Sequence, residues 1–134
     1  MKQIALLILV TSMISCSKRT NDYSDIKIKL VDKWEIRKSV GGWAGTIILQ
    51  PGNGYILEFK SDSTYVHYNK DIVERSGSYD LQSTTEKDQY KVTFHQNGNG
   101  QQYENTISLK GDTLVFFPQC CDIPFTTTYV RIKQ

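Results

Sequence analysis

The chain is expected to form an all-β domain: an antiparallel up-and-down meander of eight to nine strands closed into a barrel. Three observations carry this expectation. Apolar and polar residues alternate with a period of two over most of the chain, which is the pattern of half-buried strands. Turn residues recur between the alternating runs at hairpin spacing. Beyond the N-terminal segment, no run carries apolar residues three and four apart for long enough to make a helix, apart from a short turn near Ile28–Asp32.

The N-terminal segment reads differently. Met1 and Lys2 give a short positive start, and Ile4 to Val10 is almost wholly apolar, with Met13 and Ile14 extending it. A charged start, an apolar run of about 7–15 residues and a small residue at the end is the layout of a signal peptide. The run is too short for a membrane span, which needs roughly 20 apolar residues. It ends in "MISC", which resembles the lipobox of bacterial lipoproteins. That resemblance implies cleavage after Ser15 and lipidation of Cys16, including an acyl group such as palmitate. Several acyl chains on one residue hold a soluble domain to a membrane far more firmly than a single chain does. Neither an Asp nor an acidic run follows Cys16, so the expected address is the outer membrane, facing the periplasm. The organisation that follows is a signal peptide over 1–15, a lipidated N-terminus with a flexible tether over 16–29, and one barrel domain over 30–134.

Within the domain, "KWEIRKSV" sets Trp34, Ile36 and Val40 against charged and polar neighbours, and opens the first strand. "GTIIL" follows, and "PGNG" is read as the hairpin turn between it and "YILEFK". "SDS" then leads to "TYVHYN", and "NKD" to "IVERSGSYDL". "STTEKD" precedes "YKVTFHQ", and "NGNG" precedes "YENTISLK". Gly111 and Asp112 turn the chain into "TLVFF", and "TTTYVRIK" is the last strand. Short connections make neighbouring strands antiparallel. Closing the meander removes its two edges. A two-sheet sandwich is the structural alternative. Trp34, Tyr55, Leu57, Phe59, Tyr79, Tyr90, Val92, Phe94, Leu109 and Phe117 are expected to point inward. That much aromatic bulk argues for a filled or shallow barrel over a deep cup.

The order of these pieces resembles the small lipocalin-like lipoprotein domains of Gram-negative bacteria. A Trp opens the first strand, then come "LEFKSDSTY", "GSY", "GDTL" and a closing "YVRI". Asp32 stands where true lipocalins carry the Gly of their Gly-x-Trp. The resemblance spans nearly all of residues 30–134 and implies the barrel and the lipoprotein status. It also implies a structural floor in which Arg131 packs across Trp34, a cation–π contact worth about 0.5–2 kcal/mol. An ordinary solvated Arg131 is the alternative.

Chemistry is sparse. The formal charge is +2 and no Lys/Arg run suggests a nucleic-acid surface. There is no nucleophile elbow, no H-E-x-x-H and no phosphate loop, so neither an enzyme nor a cofactor or metal is expected. His67 and His95 are read as outward strand residues. Cys120 and Cys121 in "PQCCDIP" form a possible redox pair. They are read as two thiols on opposite faces, as a strained vicinal disulfide, or, least favoured, as a metal site. The Gly-rich stretch Val40–Gly54 is the candidate functional loop, carrying Trp43 either as an exposed contact or as a plug in the barrel mouth. Trp43, Tyr55, Tyr68, Tyr79 and Phe94 are the candidate ligand-binding residues. Two functions stand: a non-enzymatic, membrane-anchored barrel that binds a small apolar ligand, or a periplasmic protein-binding module acting through its loops as an inhibitor or assembly accessory.

Overall fold

The computed structural model describes residues 22–43, 45–118 and 125–133. Cys16, the expected lipid-attachment residue, and the pair Cys120 and Cys121 lie outside the described residues. A helix, α1 (Asp22–Leu30), leads into nine strands: β1 (Asp32–Gly41), β2 (Thr46–Ile48), β3 (Tyr55–Phe59), β4 (Thr64–Asn69), β5 (Ile72–Ser83), β6 (Tyr90–Gln96), β7 (Gln102–Lys110), β8 (Thr113–Phe117) and β9 (Phe125–Arg131). The order is β2-β1-β3-β4-β5-β6-β7-β8-β9, and β1 also pairs with β9. Every pairing is antiparallel. Eight strands therefore close into a barrel and β2 is an addition to it, which excludes the sandwich.

Three expectations need correction here. The first concerns "PGNG". β2 does not pair with β3; both lie along the same edge of β1, β2 against Lys38–Val40 and β3 against Asp32–Glu35. They are one interrupted strand, and residues 49–54 are an excursion from it. Glu35 braces the excursion. Its carboxylate accepts the backbone N–H of Gly52 (3.1 Å) and of Gly54 (3.2 Å), and it pairs with Arg37. Asn53 Nδ2 donates to the carbonyls of Ile36 and Gln50. Gly54 has φ +81°, a backbone that favours glycine. Turn chemistry marked the break in the strand, but the chain resumes its direction there instead of reversing.

The second correction concerns the faces of strands. A bulge at Arg37 puts Ile36 opposite Tyr129 and Lys38 opposite Thr128. One extra residue reverses the alternation beyond it, so Val40 faces outward instead of sharing the inner face of Trp34 and Ile36. In β8, Phe116 pairs with Ile107 and turns inward, leaving Phe117 outside opposite Thr106. In β4, Tyr65 and His67 face in, opposite Phe59 and Leu57. His67 is thus not an outward residue, and Tyr68 is not an inward one.

The third correction is α1. Residues 22–29 are not a tether but most of a helix whose Ile26 and Leu30, four apart, are buried in the barrel core. Two apolar contacts one turn apart are too few to stand out from a polar stretch.

The core is aromatic. Phe59 meets Tyr79 edge-on at 4.9 Å, Tyr65 meets Phe94 at 4.7 Å, and Tyr103 stacks on Phe94 at 4.9 Å. Rings in these geometries add about 0.5–1.5 kcal/mol per pair beyond the area they bury. β5 approaches β6 so closely at Gly77 that a Cβ there would lie 1.9 Å from the His95 carbonyl oxygen.

Candidate functional site

The two ends of the barrel differ, and each is built from identifiable residues. At one end α1 closes the floor. Trp34 Nε1 donates to the Leu30 carbonyl at 2.8 Å, and the Arg131 guanidinium lies 4.4 Å from the Trp34 ring centroid. Arg131 also donates to Asp32 and to the Lys29 carbonyl, and its Nε is 3.2 Å from Asp112. Lys27 Nζ reaches Ser63 Oγ in the β3–β4 turn at 2.6 Å. Trp34 is fully buried. Arg131 thus lies over the Trp34 ring, with its side chain 21% exposed.

At the other end the loops after β1, β4 and β6 form the mouth. Trp43 is 95% exposed, so it is no plug. Ile48 (70%), Ile72 (69%), Val73 (55%) and Phe125 (44%), on β2, β5 and β9, are also left to solvent. Inside the mouth lies a cavity of about 170 Å³, bordered by Ile36, Tyr55, His67, Arg75 and Tyr129 together with Ile56, Tyr68 and Glu74. Ligand pockets typically measure about 300–1,000 Å³, so the aromatic core has left only a shallow remnant of a cup. Larger clefts of about 770 and 660 Å³ are both bordered by Arg131, Ile132 and Lys133; the second runs from there along Glu35 and Gly54 to Ile56 and the β4–β5 turn.

The candidate ligand residues do not converge. Tyr55 borders the mouth cavity. Tyr68 borders it too, but its hydroxyl turns to the outer face and donates to Glu58 at 2.8 Å. Tyr79 is buried toward the closed end, its hydroxyl on the Lys60 carbonyl at 3.2 Å. Phe94 is the centre of the ring stack, and Trp43 stands clear of the cavity. His67 and Arg75 are the residues that the sequence reading missed there. Counting back by twos from Tyr79 through Gly77 reaches Arg75 on the inner face, and this parity is the signal that could have found it.

Electrostatics at the mouth follow from burial. His67 is driven down to about 4 by burial and by the Arg75 charge, against a smaller opposing pull from Glu74, so it is neutral at pH 7. Burial pushes the Tyr129 hydroxyl up to about 12. Among the described residues no group of three or more His, Cys, Asp or Glu could hold a metal ion. The arrangement can bind and orient; among the described residues that border the cavity, no nucleophile stands beside a general base. In comparisons with known proteins, no family model, no curated protein and no solved structure matches this chain.

Proposed function

We propose that this chain is a non-enzymatic lipoprotein of the outer membrane, anchored through Cys16 on the periplasmic side, whose barrel acts as a protein-binding module through its open end. The observation that carries the reading is the apolar rim. Trp43, Ile48, Ile72, Val73 and Phe125 leave large side chains in water at one end of a molecule whose core is otherwise well filled. Exposed apolar residues gathered around one opening favour a contact surface over chance exposure. The location of α1 supports the same reading. A chain tethered at Cys16 meets the barrel at its closed end, which leaves the rim on the side away from α1. A deep apolar ligand site is less favoured, because the interior is occupied by rings.

The test is a photo-crosslinking amino acid at position 43, compared with one at Ile28, an exposed apolar residue on α1. A discrete adduct with one envelope protein from position 43 and none from position 28 is expected. Equal labelling from both, or none from position 43, overturns the rim reading. The anchor is tested separately: Cys16→Ser should leave an unprocessed chain that takes up no labelled palmitate, and continued labelling would sink it.

A further inference from the structure

The mouth cavity plays no part in the rim reading, and its polar groups do not satisfy one another. Arg75 is exposed at the opening and forms no hydrogen bond or ion pair with another described residue. The Tyr55 and Tyr129 hydroxyls and the His67 ring nitrogens likewise have no hydrogen-bond partner among the described residues. Among the described residues no side-chain nitrogen or oxygen is buried without a partner. The Tyr129 hydroxyl and the His67 nitrogens, though on largely buried residues, must therefore reach the cavity space.

The charges select the ligand. Arg75 contributes one positive charge. His67 is neutral at pH 7 and Tyr129 keeps its proton. Glu74, the acid beside the cavity, accepts from Asn69 Nδ2 at 2.8 Å, and its negative charge stays at the border, which disfavours a ligand with more than one negative charge. The donors toward the cavity are one guanidinium, two phenols and one imidazole between ring walls and Ile36. A guanidinium presents a planar fork that matches a carboxylate. A single cation suits a monoanion better than a phosphate, which carries about −1.5 to −2 at pH 7. A cavity of about 170 Å³ has room for about five or six waters at ~30 Å³ each, which limits the ligand to a carboxylate on a small body.

We propose that this cavity binds a small monocarboxylate, its carboxylate paired with Arg75 and the Tyr129 hydroxyl and its flat apolar body against Tyr55 and His67. The site is independent of the rim and stands whether or not a protein partner exists.

The experiment is an NMR titration of the purified full chain in detergent with benzoate, with neutral benzamide and inorganic phosphate as the comparison probes. Benzoate should bind saturably, and benzamide about tenfold or more weaker, since a charged hydrogen bond of this kind is worth a factor of that order. Arg75→Gln should remove the benzoate preference without changing benzamide binding, and Arg75→Lys should retain part of it. Arg75 is exposed, so neither variant should disturb the fold, and the core resonances check this directly. Equal binding of benzoate and benzamide, tighter binding of phosphate, or no saturation by benzoate at concentrations well above about 1 mM would each overturn the site.

Discussion

The closed end and the open end of this barrel are made from the same kinds of residue and treat them in opposite ways. Each has an arginine, a tryptophan and a set of apolar side chains. At the closed end Arg131 is tied to Asp32, Asp112 and the Lys29 carbonyl and covers the Trp34 ring. Trp34 is buried, and its indole N–H is spent on Leu30. At the open end Arg75 has no partner among the described residues, and Trp43 stands in solvent. The closed end gathers contacts that stabilise the fold. The open end forgoes the same contacts, and groups left unsatisfied there are the ones available to something else.

The contrast is broken most directly at Trp34. Trp34→Ala empties the largest fully buried side chain of the floor and removes the platform for Arg131. A loss of about 3–5 kcal/mol is expected, read as a lowered midpoint in a urea melt. A change under about 1 kcal/mol would mean that α1 and its neighbours refill the space, and that the closed end is not the stable one.

Glu35 marks the boundary between the ends, because it holds the excursion that lets β2 sit above β3. Burial alone would raise its pKa, but the N–H groups of Gly54 and Gly52 and the Arg37 guanidinium outweigh that and bring it below the usual carboxylate range. Glu35→Gln should cost about 1.5–3 kcal/mol, the worth of hydrogen bonds to a charged acceptor. The sign with pH follows. A depressed folded pKa gives stability that is present above the ordinary carboxylate pKa and disappears as pH falls through the folded value. The gap between wild type and Glu35→Gln should therefore be widest at neutral pH and shrink from about pH 5 downward. A gap that stays constant from pH 7 to about pH 3 would show that the carboxylate charge does not hold the excursion.

How much of this was legible in the residues depends on how far each inference had to reach. Strand positions were readable because the period of two is local: "YKVTFHQ" and "TLVFF" are β6 and β8 as they stand. Barrel closure followed from short connections. Partner choice was not readable at "PGNG", because the same turn residues suit a hairpin that reverses the chain and an excursion after which the strand resumes its direction; the difference lies in Glu35, sixteen or more positions earlier. Facing failed beyond the Arg37 bulge, which inserts one residue into β1. It failed also in β4 and β8, which pair with β3 and β7 without a shift, because both faces of these strands carry apolar side chains, as in "TYVHYN". The candidate site suffered most from this. Tyr68 was placed inside and His67 outside, the reverse of the structure, and the aromatic residues chosen for a ligand turned out largely to be the filling of the barrel.

A smaller effect is expected at Arg131. Arg131→Gln removes the cation over Trp34 and the contacts to Asp32 and Asp112, at a cost of about 0.5–2 kcal/mol for the ring contact. The same exchange at Arg75 should leave the melt unchanged. If both arginines prove equally dispensable, the difference between the two ends is not energetic.

The smallest effect on stability, and the most informative for function, is expected at the rim. Trp43 is 95% exposed and Ile48 70% exposed, so neither contributes much packing to lose. The double variant Trp43→Ala with Ile48→Ser should melt within about 0.5 kcal/mol of wild type, as surface substitutions do. An apolar residue kept in water without a structural return is best explained by what it touches elsewhere, so this variant should abolish a crosslink placed at Ile72, a rim position on β5 that it leaves intact. A fully stable variant that still crosslinks would show that Trp43 and Ile48 are not the contact. A variant that unfolds would place them in the fold after all, and the open end would then be a second structural end instead of a binding one.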